Sequence, residues 1–132
     1  MLMVHTKLGH SSIAGIGLFA TEFIPKGAVI WRFKEGFDQL LTQEQVDDLP
    51  PVAQKEIAIH TYFSKDLERY VLMADAACFF NHSESPNTGT VPDDAGHPEG
   101  MTIALQDIES GEELTTNYRE YDEQAELKLA MQ

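Results

Sequence analysis

The chain has 132 residues and a single cysteine, Cys78, so it cannot close an intramolecular disulfide and lacks the ligands of a four-cysteine zinc site. Stability must come from packing. Basic residues are also scarce, with nine Lys and Arg against 22 Asp and Glu for a formal charge of −13. That surplus repels a phosphate backbone, so direct nucleic-acid binding is not expected, and it attracts basic partners in a salt-dependent way. An acidic surface also simply keeps a protein in solution, and composition does not separate the two readings. No eighteen apolar residues run together, which speaks against a membrane span, and Met1 to His10 lacks the basic start and apolar stretch of a signal peptide. The expectation is a soluble intracellular protein of the cytoplasm or nucleus. What the chain does have is an ordinary globular composition, 42% hydrophobic and 23% charged. At this length that predicts one domain over residues 1–132 with one core.

Residues 12–33 read as a β-hairpin or meander, with Ile13, Ile16, Leu18 and Phe19 leading to a turn at Pro25-Lys26-Gly27 and Val29, Ile30, Trp31 and Phe33 following. Thr42, three residues before Gln45, has the spacing of a capping box, and Pro50-Pro51 stops that short helix. A second helix is predicted from Val52 to about Phe63, then strands over Arg69 to Ala74, Met101 to Leu105 and Leu114 to Tyr118. The tail from Glu120 to Gln132 is rich in helix formers.

Three motifs carry the chemistry. Gly15-Ile16-Gly17-Leu18-Phe19 is weak alone, and it is no dinucleotide fingerprint, because the third glycine and the following helix are missing. Its glycines let a ligand approach the backbone closely. Asn81-His82-Ser83-Glu84-Ser85-Pro86-Asn87, directly after Phe79-Phe80, is far more specific. Gly111-Glu112-Glu113-Leu114-Thr115-Thr116-Asn117-Tyr118 completes the set. In this order and within this length the three resemble the SET domain of protein lysine methyltransferases, over roughly Ser11 to Tyr118.

That resemblance implies a mostly β fold of the SET, or β-clip, type: several small sheets, a knot-like C-terminal arrangement, a helical insertion over 36–66 and a C-terminal helical tail over 119–132. It implies S-adenosylmethionine as cofactor, lying against the backbone of Ile16, Gly17 and Leu18 and contacted by Asn81 and His82. Tyr118 would lie beside the transferred methyl as the catalytic residue, and Phe33, Phe80 and Ile103 would line the lysine channel. The implied partner is a basic protein or peptide, with a histone-like tail leading. The chain departs from the family pattern at Cys78, where an arginine is usual, and at Glu84, where a cysteine is common. No cysteine cluster follows Tyr118, so the zinc-bearing tail of the family is absent and no metal is expected. Either the segment from Tyr121 to Leu129, with Tyr121 over the adenine, or a second copy in a homodimer then finishes the channel. The departures keep open a non-catalytic SET-like or β-clip module that recognises a peptide or sugar.

Several motif residues also have plainer readings. Asn81 and Ser83 suit the cap of a buried turn. His82 with Cys78 is a poor metal pair, because no third ligand sits at a recognisable spacing. Glu112 and Glu113 read as solvated surface or a structural hydrogen bond rather than an acid/base pair.

Overall fold

The computed structural model describes residues 1–132, as short strands in four small sheets with three short helices. Strand β1 (Thr6–His10) pairs antiparallel with β2 (Ile16–Ala20), placing Gly9 opposite Gly17. Strand β3 (Val29–Arg32) lies at the edge of a second sheet, against β9 (Met101–Ala104), which also pairs with β8 (Thr88–Val91). The third sheet has the order β4 (Gln39–Leu41), β6 (Tyr70–Leu72), β5 (Thr61–Phe63). The fourth is a two-residue parallel pair, β7 (Asn81–His82) beside β10 (Thr115–Thr116).

Residues 12–33 therefore do not form one hairpin. β2 and β3 belong to different sheets because the chain between them bonds elsewhere: Ile24 exchanges two backbone hydrogen bonds with Ile108, each 2.8 Å. Gly27 N–H likewise donates to the Ala104 carbonyl at 2.8 Å. The stretch containing Pro25 is tied to the segment after β9 and cannot fold back on β2. The resulting core gathers Leu18, Ile24, Ile30, Val71, Ile108 and Leu114, all at most 1% exposed.

The helices follow their local signals. Helix α1 (Gln43–Asp47) is capped by Thr42, whose hydroxyl accepts from Gln45 N–H at 3.0 Å while the Gln45 side chain accepts from Thr42 N–H at 2.8 Å. Helix α2 (Pro51–His60) starts at a proline, which suits a first helical position, and has no buried residue. It ends three residues earlier than its apolar content suggests, because Thr61 to Phe63 pair with β6. Tertiary pairing outweighs helical propensity there. Helix α3 (Ala125–Ala130) is the shorter realised part of the C-terminal helix. No helix is long and apolar enough to cross a membrane.

Candidate functional site

The parallel pairing of β7 with β10 sets the Asn-His motif directly beside the end of the Gly-Glu-Glu-Leu motif, with Asn81 opposite Thr115 and His82 opposite Thr116. Asn87 locks the pair. Its amide donates to the Glu113 carbonyl at 2.8 Å, and its side-chain oxygen accepts from Thr115 N–H at 2.9 Å. The glycine motif joins through one carboxylate: Glu113 accepts from Ser11 Oγ at 2.8 Å and from Asn81 Nδ2 at 2.8 Å. Asn81 Nδ2 also faces the carbonyls of Ala14 at 3.1 Å and Ile16 at 3.3 Å. A Cβ at Gly17 would overlap the Glu113 carboxylate, so this position needs glycine for the close approach. Three segments far apart in the chain thus meet at Glu113, which serves as a structural acceptor.

Asn81 and His82 are both buried. His82 Nδ1 accepts from the Tyr118 backbone N–H at 3.1 Å, which leaves Nε2 as the protonated nitrogen of the neutral ring, 3.1 Å from Glu84 Oε1. Arg119 pairs with the same Glu84 and with Glu126. Those contacts hold the Glu84 carboxyl below its ordinary range, the His82 hydrogen bond first and Arg119 second. Glu84 therefore ties the motif loop to the segment after Tyr118, where a cysteine would make no such pair.

Tyr118 donates its hydroxyl to the Phe80 carbonyl at 2.7 Å, and its ring tilts against His82 with centroids 5.3 Å apart. Burial raises its pKa, keeping the phenol protonated near neutrality. A row of rings extends from it: Tyr118 to Tyr121 at 6.4 Å, then Tyr121 to Tyr62 at 4.8 Å, both edge to face. Tyr62 ends the row by donating to Glu99 Oε1 at 2.8 Å. Burial lifts the pKa of Tyr121 and Tyr62 well above the ordinary phenol value, with the Glu99 charge adding to the effect at Tyr62.

These rings face a cavity of about 610 Å³ whose wall includes Trp31, Tyr62, Phe80, Tyr118 and Tyr121. Helix α2 borders one side, and the tail from Gln124 to Gln132 borders another. The tail is pinned by Asp122, which is 1% exposed. Its Oδ1 accepts from Phe63 N–H at 3.1 Å and Gln124 N–H at 2.9 Å, and its Oδ2 pairs with Lys128 Nζ at 2.6 Å. Lys128 also donates to the Thr61 carbonyl at 2.8 Å. Cys78 lines the cavity, with its sulfur 3.4 Å from His60 Nδ1, and burial pushes its thiol up to about 11.

The site residues read from sequence fall into three sets. Phe80, Tyr118 and Tyr121 line the cavity together. Ile16, Gly17, Asn81 and His82 do not; Asn81 Nδ2 faces the Ile16 carbonyl, and His82 Nδ1 accepts from the Tyr118 N–H. Leu18 stands with them in the chain, but its side chain is fully buried and its carbonyl accepts from Leu114 N–H at 2.7 Å. Phe33 and Ile103, expected from sequence in the channel wall, are not among the residues lining this cavity. Phe33 stacks on His97 at 4.5 Å, and Thr102 takes the cavity-facing place, which by strand alternation turns Ile103 to the opposite face. Trp31 and Tyr62 form the wall instead. The sequence reading placed Tyr62 inside a helix and Trp31 in a hairpin, so neither was visible as a wall residue.

A fold of short strands in small sheets, with a buried Asn-His pair beside a tyrosine that also lines an aromatic cavity, defines a narrow class. The sequence pattern of the SET domain matches residues 15–119, and the chain belongs to the SET domain family. No curated protein sequence matches it. Among solved structures it is similar to a Plasmodium falciparum protein named as a histone methyltransferase, with 20% identity and a TM-score of 0.60 over 89% of this chain and 95% of that one. It is also similar to a humanized mutant of the Chaetomium thermophilum Polycomb Repressive Complex 2 bound to an inhibitor, with 21% identity and a TM-score of 0.65. That match covers 91% of this chain and 15% of the other.

Proposed function

We propose that the protein transfers a methyl group from S-adenosylmethionine to a lysine side chain of a basic protein, with a histone-like tail as the leading substrate class. The observation that carries this reading is the place of Tyr118, whose backbone N–H is bonded to His82 and whose side chain borders the aromatic cavity. S-adenosylmethionine supplies an electrophilic methyl on a positively charged sulfur. Asn81 fits that ligand's amino-acid end: its amide N–H groups are used within the protein, while its Oδ1 accepts no hydrogen bond from the chain and suits an ammonium donor. The half-exposed Ile16 beside it offers an apolar contact.

Lysine must react as a neutral amine, and with a free pKa of about 10.4 only about one molecule in two thousand is neutral at pH 7, a deficit of roughly 4.6 kcal/mol. Two effects of the aromatic wall compete. Cation–π attraction to Tyr118, Tyr121 or Phe80 favours the ammonium by about 0.5–2 kcal/mol. Removing water disfavours it by up to about 3–5 pKa units for full burial, so desolvation wins. The Tyr118 phenol stays protonated, and with the Phe80 carbonyl it orients the amine rather than abstracting its proton. The tail walls the cavity within one chain, so the homodimer is needed for none of the contacts described.

The test is incubation with isotopically labelled S-adenosylmethionine and a panel of basic proteins, histones included, alongside calorimetry with the unlabelled compound. Binding and label on lysine are expected. Binding without label on any basic protein would identify the non-catalytic module, and absence of binding at millimolar concentration would remove S-adenosylmethionine from the account.

A further inference from the structure

Glu99 is a carboxylate without a cation. It lies on the loop joining β8 to β9, lines the cavity, and accepts from Tyr62 Oη and Ser64 Oγ, each at 2.8 Å. No Lys, Arg or His pairs with it: of the two lysines lining the cavity, Lys128 is committed to Asp122 and Lys55 makes no ion pair with Glu99. Two hydroxyl donors fix the carboxylate without neutralising it, and each oxygen keeps a lone pair for a further donor. Trp31, 5% exposed, belongs to the same wall. A held anion and aromatic faces within one cavity suit a guest that brings a cation and an alkyl stem. A peptide carrying a basic side chain brings both.

We propose that Glu99, with Tyr62 and Trp31, forms a recognition subsite for a second basic side chain of the substrate, separate from the lysine that reaches Tyr118. The inference rests on the function proposed above and names the sequence feature its substrate carries. Geometry keeps the two positions apart. Tyr118 and Glu99 lie at opposite ends of the row Tyr118, Tyr121, Tyr62, so the carboxylate holds a permanent cation at one end without stabilising the ammonium that must lose its proton at the other. Arginine suits the subsite best, because its guanidinium stays charged, stacks on aromatic faces and donates to carboxylates in a fixed fork.

The probes are fluorescein-labelled nine-residue peptides with one central lysine in an alanine and serine background, and arginine moved through the flanking positions. Anisotropy with the full chain reads binding without requiring turnover. At least one arginine position is expected to tighten binding roughly fivefold to tenfold over the arginine-free peptide. Glu99→Gln removes that gain and leaves the arginine-free peptide unchanged. Tyr62→Phe, which loosens the clamp but keeps the charge, retains most of it; equal loss in both variants would mean that Glu99 only holds the loop, and the proposal falls. It falls too if no arginine position tightens binding to the wild type. Should Glu99→Gln unfold, salt reads the charge directly: the arginine gain must shrink several-fold between about 50 mM and 500 mM NaCl, and a salt-insensitive gain overturns the subsite. Failure of labelled transfer in the same preparations would count against the methyl-transfer reading and leave the Glu99 result as measured.

Discussion

Replacing Lys128 with methionine keeps the length of the side chain that pins the tail and removes its charge. Asp122, 1% exposed, then keeps two backbone N–H donors on Oδ1 and loses the ammonium 2.6 Å from Oδ2. Breaking a buried ion pair by deleting one partner costs about 3–5 kcal/mol. The lower end applies, because the Lys128 side chain is 29% exposed and Asp122 keeps part of its solvation in the two N–H groups. We take about 2–3 kcal/mol, discounted for that exposure. With an unfolding entropy of about 2.1 cal/mol/K per residue, a chain of this size loses about 7–11 °C of Tm. Circular dichroism or calorimetric melting of Lys128→Met against wild type measures it. The double variant Asp122→Asn with Lys128→Met leaves no orphaned charge and should recover a large part of the loss, which a double-mutant cycle reads as coupling. A shift below about 2 °C, or a double variant whose losses simply add, would refute the buried pair as the anchor of the tail.

Tyr118→Phe should lower the single-turnover methylation rate by at least about tenfold while sparing S-adenosylmethionine binding by calorimetry; an unchanged rate removes the hydroxyl from the mechanism. Cys78, with its thiol raised to about 11, should react with iodoacetamide at pH 8 roughly a hundredfold more slowly than an ordinary thiol, recovering in urea, as mass spectrometry can follow. Stability should fall as pH rises through about 10, since burial keeps the Tyr62, Tyr118 and Tyr121 phenols neutral in the fold while unfolded phenols ionise first. Tyr121→Phe should show a smaller drop in Tm between pH 9 and pH 11, and an equal drop would contradict the assignment.

The sequence announces what is local and dense. Thr42 and Gln45 form the capping box their spacing indicates, and Asn81, His82 and Tyr118 meet because their motifs are short and rigid. It hides what depends on partners far along the chain. β1 carries no local signal, because Thr6 to His10 shows no clean alternation, and its pairing comes from β2. The expected hairpin fails because Ile24 bonds to Ile108, 84 positions away, a preference no local pattern encodes. Tyr62 reads as the end of a helix until β6 claims it as a strand residue. Strand parity then decides which residue of β9 lines the cavity: with Thr102 facing it, Ile103 points away.

The two sides of Tyr118 are built on opposite principles, and the contrast says where selectivity resides. On the side of Asn81 and His82 the N–H groups are matched internally: Asn81 Nδ2 to Ala14, Ile16 and Glu113, and Tyr118 N–H to His82. That network fixes its geometry in advance, which suits a ligand that is always the same molecule. The cavity side instead presents aromatic faces and a carboxylate with no cation. Unmet polar groups in a cavity penalise every guest that cannot complete them, and so discriminate among guests more sharply than apolar contact does. On the function proposed, substrate choice belongs to Trp31, Tyr62 and Glu99, on β3, β5 and the loop before β9. None of the three lies within the motifs that mark the family.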